Sequence, residues 1–394
     1  METNRKRTVR SITILIVVTA FCYALVNGIP NVLINHIIDD YGIDGTRQGL
    51  INSTISFGVM AAVVVAPAFQ GRIKKFTVYF LSAVIITAAL IVQGVSKSVG
   101  LFFTASVVLG LGFGWLDGYI NSIIIDVHPE DSAVPMGLLH GFFGVGSLLF
   151  PLAATALLGI MFWRGLYWVC ALIMAAVAAA VFFVGKRTEK AETAAALKED
   201  KLHFSDVLDF VGSKRNVILL VLGFSAGCIQ TGISCWLVRF MTLEYGAEAL
   251  GATALSCMWI SSTVNRFLSP RIHAKPITLI IAGCLGTAAA LTLGLAVNKP
   301  VFMVVMIAVV GLFCGHLIPM LFLEASFRQA GKTTMTTFIM QIALAIGRIT
   351  IPLLMAFVTD ISDIRTSMFL PVAAAVLSAV FGILASRERK HYAQ

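Results

Sequence analysis

The chain has 394 residues, of which 58% are hydrophobic and only 12% charged, with a mean hydropathy of +0.91. A water-soluble globular chain carries about a quarter charged residues, so this composition excludes a soluble protein of two or three domains and makes lipid the main solvent. The net charge of +9 is accounted for by basic loops facing anionic headgroups, and no nucleic-acid partner is inferred from it.

A spanning helix needs about 20 mostly apolar residues. Such helices are predicted over 11–35, 48–69, 76–95, 101–125, 134–158 and 163–185, then over 216–240, 249–268, 276–298, 300–323, 333–359 and 366–386. The first follows Arg5, Lys6, Arg7 and Arg10 as a signal peptide would, but it is about 25 residues long and lacks a clean small-residue cleavage site, so it is expected to stay. One long polar stretch, 186–215, with Lys186, Arg187, Glu189, Lys190 and Asp200, separates an N-terminal bundle, 1–185, from a C-terminal bundle, 216–394. The fold class is therefore an all-α membrane protein of twelve transmembrane helices.

Arg47, Lys97, Arg164, Arg239, Lys299 and Arg365 lie at one set of span ends, and every other basic residue except Arg348 lies on the side of the N-terminus. Basic loops are retained inside, which predicts cytoplasmic termini and a plasma (inner) membrane location. The seven cysteines all fall in apolar spans without metal-ligand spacing and read as packing residues. The soluble segments carry no nucleotide loop, zinc spacing or nucleophile elbow, which argues against an ATP-driven pump or an enzyme. No cofactor or metal is expected, and the partners expected of a monomer are a small-molecule substrate and the bilayer.

The halves repeat. A shift of about 201 residues brings Gly110-Leu111 and Gly114 onto Gly311-Leu312 and Gly315, His140, Gly146 and Pro151 onto Gln341, Gly347 and Pro352, and Arg164 onto Arg365. A slip of two or three residues matches Phe21 and Asn27 to Phe224 and Gln230, and Tyr41-Gly42 to Tyr245-Gly246. Two parallel six-helix repeats place a substrate site near the midplane between them.

Ionisable groups in hydrocarbon are expensive and usually face a cavity or a partner. Arg239 and Arg266 lie close enough to span ends to snorkel. Asp117 is on the order of 13 Å deep, too far for that, and shares a helix face with Gly110, Gly114 and Asn121. On the fifth span Gly137, His140, Gly144 and Ser147 form a similar stripe. The depths of Asp117 and His140 nearly match, which predicts a carboxylate–imidazole contact able to hold or pass a proton. In the first span Tyr23, Asn27, Asn31 and Asn35 recur every fourth residue as a polar face that cannot titrate.

Asn121 followed by Pro135-x-x-Leu138-Leu139-His140-Gly141-Phe142-Phe143-Gly144-Val145-Gly146 and Pro151, on two parallel six-helix halves joined by a charged loop, resembles the glucose/fucose proton symporter branch of the major facilitator superfamily. The resemblance implies that spans one, four, seven and ten line a central cavity, and that Asp117 and His140 occupy the proton-coupling and sugar-binding positions of the fourth and fifth spans. The sequence departs from that branch in the first span, where Asn27-Gly28-Ile29-Pro30-Asn31 carries no second acid, so any coupling falls to Asp117. Gly71-Arg72-Ile73-Lys74-Lys75 is similar to the superfamily's glycine and basic loop signature, which locks the cytoplasmic face in one state, but it lacks the usual acid.

Candidate substrate-binding residues are Asn27, Asn31, Tyr119 and Asn121 in the first half and Gln230, Trp236, His316, Gln341 and Arg348 in the second; Asp117 and His140 are the candidates for proton coupling. Arg348 could pair with Asp117, bind an anionic substrate, or donate to backbone carbonyls near Gly347 and Pro352. The expected function is secondary transport of a small polar solute, a sugar or polyol, by alternating access with a proton as candidate coupling ion. The alternatives are an exporter of amphipathic compounds and a solute receptor that does not turn over.

Overall fold

The bilayer core offers the backbone no hydrogen bonds, so a spanning segment must close its own by forming a helix. The computed structural model, which describes residues 2–43, 49–69, 71–188, 209–329 and 332–391, contains helices and no strands among those residues. Among the described residues, ten helices are long and apolar enough to cross a membrane. Gly49–Phe69 and Glu248–Leu268, at the second and eighth positions of the two halves, complete the predicted twelve.

The chain forms two compact units, Met1–His203 with Gly331–Phe338, and Phe204–Ala330 with Ile339–Gln394. The eleventh span, Thr333–Ile361, thus contributes its first turns to the first unit and the rest to the second. Most of the stretch 186–215 lies outside the described residues.

Within each unit the helices pair alike: second on fourth, third on sixth and fourth, then eighth on tenth and ninth on twelfth and tenth. Lipid tails are as apolar as the helices, so association depends on close van der Waals approach, for which small residues are suited. A Cβ on Gly110 would meet the Ile55 carbonyl oxygen at 2.0 Å, and one on Gly311 the Met258 oxygen at 2.3 Å. A Cβ on Gly146 would meet the Phe21 oxygen at 2.6 Å, and one on Gly347 the Phe224 oxygen at 2.1 Å. The glycines aligned by the repeat therefore make equivalent backbone contacts in each unit.

The aligned arginines also repeat their work. Arg164, at the start of the sixth span, donates to the Tyr41 hydroxyl at 3.1 Å, the Asp40 carboxylate and the Ser96 carbonyl. Arg365, at the start of the twelfth, donates to Glu244 at 2.9 Å, the Leu295 carbonyl at 3.0 Å and the Asn298 side chain. Each ties the end of its unit's opening helix to the end of the third helix of that unit.

The halves differ where prolines differ. The first span is broken into Glu2–Asn27, Ile29–Val32 and Ile34–Tyr41 rather than running as one helix. Pro30 has no N–H for the carbonyl four residues earlier. The seventh span carries Gly232-Ile233-Ser234 at the equivalent place and runs unbroken over Lys214–Tyr245, longer than predicted. The tenth span breaks into Pro300–Cys314 and Leu317–Arg328, because Pro319 cannot donate to the carbonyl of Gly315.

Arg266 replaces that donor, with Nε 3.0 Å from the Gly315 oxygen. It is 5% exposed, so the expected snorkelling is corrected: the side chain turns inward to a helix break. Arg239 is exposed and lies over the Trp236 ring at 5.6 Å.

Thermal unfolding of detergent-purified protein measures what these contacts contribute. Gly110→Ala and Gly311→Ala should each destabilise by about 1–3 kcal/mol, the usual cost of overpacking, whereas Gly100→Ala, whose Cβ would have its nearest neighbour at 3.7 Å, should be close to neutral. Arg266→Met should destabilise by about 1–3 kcal/mol through an unsatisfied carbonyl. Pro319→Ala, by restoring an N–H for Gly315, should recover part of that loss in the double variant; equal losses in the single and double variants would refute the capping role.

Candidate functional site

The fourth span runs over Val99–Val127, and its small and polar face does two jobs. Gly110 and Gly114 lie against the second span, where added Cβ atoms would meet Ile55, Val59 and Ala62. Two turns on, the same face meets the fifth span, Ala133–Leu158. There Asn121 Nδ2 donates to Asp117 Oδ1 at 2.9 Å and to the Asp117 carbonyl at 2.8 Å. The Asn121 Oδ1 lies 3.0 Å from His140 Nε2. The expected carboxylate–imidazole pair is thus a row of three, with the amide in the middle.

Asp117 and His140 are partly exposed, whereas Asn121 is 0% exposed. Tyr119 is 1% exposed, with its ring edge-on to Phe338 at 5.5 Å inside the first unit. Asn27 is exposed at the end of the first helix, beside the Gly28 break. Asn31 lies in the short helix Ile29–Val32, and its side chain, like that of Asn35, falls outside the described residues. Tyr23 is packed between Phe113 and Phe143 at 5.0 and 5.3 Å.

In the second unit Gln230 and Trp236 are partly exposed on the seventh span, and Arg348 is exposed on the eleventh. Gln341 is buried on the same helix at 7% exposure. His316 sits at the tenth-span break, with Nδ1 2.8 Å from Asn265 Oδ1 and Nε2 2.9 Å from the Leu279 carbonyl. Both ring nitrogens are occupied by protein, and the residue is buried.

Sequence reading missed one cluster. Lys75, the last residue of the basic loop, opens the third span and is 4% exposed. Its Nζ lies 2.5 Å from Asp126 Oδ2 and 2.9 Å from Ser122 Oγ. Thr333 donates to Asp126 Oδ1 at 2.7 Å, and Thr334 lies 2.6 Å from Ser122. The carboxylate that meets Lys75 thus comes from the end of the fourth span. Its signal was an aspartate one turn after a serine, at a helix end on the side of the basic loop. At the corresponding helix end in the second unit, Arg328 Nε lies 2.7 Å from Glu324 Oε1 and its guanidinium also donates to the Ala385 carbonyl at 3.2 Å.

The chain is 24% identical over 240 residues to the glucose/mannose transporter GlcP of Bacillus subtilis (strain 168), a match spanning 58% of each chain. Its fold superposes on the E. coli fucose:proton symporter FucP with a TM-score of 0.74 and 16% identity, covering 95% of this chain and 98% of that one. It superposes on the human organic anion transporter TETRAN with a TM-score of 0.77 and 14% identity, covering 96% and 99%. At such identities the superpositions speak for the fold alone. Residues 16–349 match the Major Facilitator Superfamily, and the chain, with its twelve spans in two repeated halves, belongs to that family.

Proposed function

We propose that the protein is a secondary active transporter that carries a small polar solute, a sugar or polyol, by alternating access, with Asp117 taking up the coupled proton. The observation that carries this reading is the row Asp117–Asn121–His140 inside otherwise apolar spans. Polar groups at that depth are costly and tend to mark solute and proton paths. Family membership supports transport, and the name of the B. subtilis relative supports a hexose.

The physical logic is a charge that can be removed. An ionised Asp117 favours whichever state gives it water or hydrogen-bond donors; protonation neutralises it and shifts the balance towards the drier state. Asp117, His140, Asn27, Gln230, Trp236 and Arg348 present accessible polar or aromatic surface and are the proposed solute contacts. Tyr119 and His316 are proposed as packing residues, because the first is wedged against Phe338 and the second has both nitrogens in use. Lys75 and Asp126, which hold Thr333, are proposed as the lock that the basic loop signature implies, on the cytoplasmic side with both termini.

Purified protein in proteoliposomes tests the reading. An inward proton gradient should drive accumulation of a labelled hexose or polyol, and Asp117→Asn should lower gradient-driven accumulation at least tenfold while solute exchange at equal pH continues. Unchanged accumulation in the Asn variant would remove Asp117 from the coupling role. A thermal-shift screen names the solute independently, since a ligand at 100 times its Kd stabilises by about 2.7 kcal/mol; a shift with amphipathic cations and none with sugars or polyols would favour the exporter.

A further inference from the structure

Asn121 cannot serve a solute as it stands, because it is 0% exposed and both ends of its amide are used. An amide has one donating end and one accepting end, and an ionised carboxylate only accepts. The NH2 end is directed at Asp117, with Nδ2 contacts of 2.8 and 2.9 Å to the backbone oxygen and Oδ1. The end left for the fifth span is therefore the carbonyl oxygen, 3.0 Å from His140 Nε2. An accepting oxygen at hydrogen-bond distance requires a hydrogen on the facing ring nitrogen. In its neutral form His140 therefore carries its hydrogen on Nε2.

The same amide decides what passes along the row. To relay a proton from imidazole to carboxylate, it would have to accept at oxygen and release from nitrogen, passing through an imidic acid. A neutral amide does not titrate, so the row conveys orientation rather than protons.

We infer that Asn121 is a positioning residue that orients the Asp117 carboxylate, holds His140 in its Nε2–H form, and keeps the two as separate proton-binding sites instead of a shared one. The inference about coupling rests on the function proposed above; the tautomer does not.

Nitrogen-15 NMR of histidine-labelled protein in nanodiscs reads the tautomer directly, the His140 signals being assigned by difference from His140→Gln. At a pH where the ring is neutral, the expected result is a protonated Nε2 and a bare Nδ1. A bare Nε2 overturns the proposal whether or not the protein transports anything. Asn121→Leu should release the lock and raise the Nδ1–H fraction, and an unchanged tautomer in that variant also overturns it. Should the Leu variant fail to fold, Asn121→Ser gives the second reading. For a positioning residue, uptake should lose about tenfold in kcat with KM held within about twofold, whereas a raised KM at unchanged kcat would make Asn121 a solute ligand and sink the proposal.

Discussion

Hydrocarbon gives the backbone no partner, and a departure from continuous helix needs a side chain or a neighbouring helix to make good the loss. Arg266 illustrates the rule. Pro319 takes a donor from the carbonyl of Gly315, and the guanidinium of a neighbouring span supplies one at 3.0 Å. The buried charge is tolerated because it answers a buried need, and His316 joins the same break through Asn265 and Leu279. Arg266 answers a carbonyl freed by a helix break, whereas Asp117 and His140 keep partial exposure.

The repeat shows how strictly packing constrains sequence. Glycines that bring a backbone within contact of a carbonyl on the facing helix recur in register, as do the arginines that gather span ends around them. The asymmetries are as informative. Pro30 breaks the first span where Ser234 leaves the seventh whole, and Pro319 breaks the tenth where Gly118 leaves the fourth whole. Ser122 and Asp126 engage Lys75 and the first turn of the eleventh span, whereas Arg328 pairs with Glu324 one turn earlier on its own helix and donates to the Ala385 carbonyl of the twelfth span. Related halves have kept the same packing seams and spent their polar residues differently.

Much of the candidate site was legible because depth and helical periodicity are properties of a single chain. Asp117 and His140 were found by counting residues from a span end, and the structure brings their helices together. The role of Asn121 was not legible. Sequence placed it on the same face as Asp117 and suggested a solute ligand; only the approach of the fifth span shows that both ends of its amide are consumed. Lys75 was read as one more basic residue of a loop lacking its acid, because Asp126 is far along the chain and meets it only through packing of the third span on the fourth.

What the sequence determined by itself was the solvent, the number of spans and the kinship of the halves, since each depends on composition or on spacing along the chain. Which polar groups bond one another across spans, and which keep an exposed edge, was decided by the tertiary structure. A hydrogen bond between spans depends on the rotation of two helices about their axes, and no single helix carries that information.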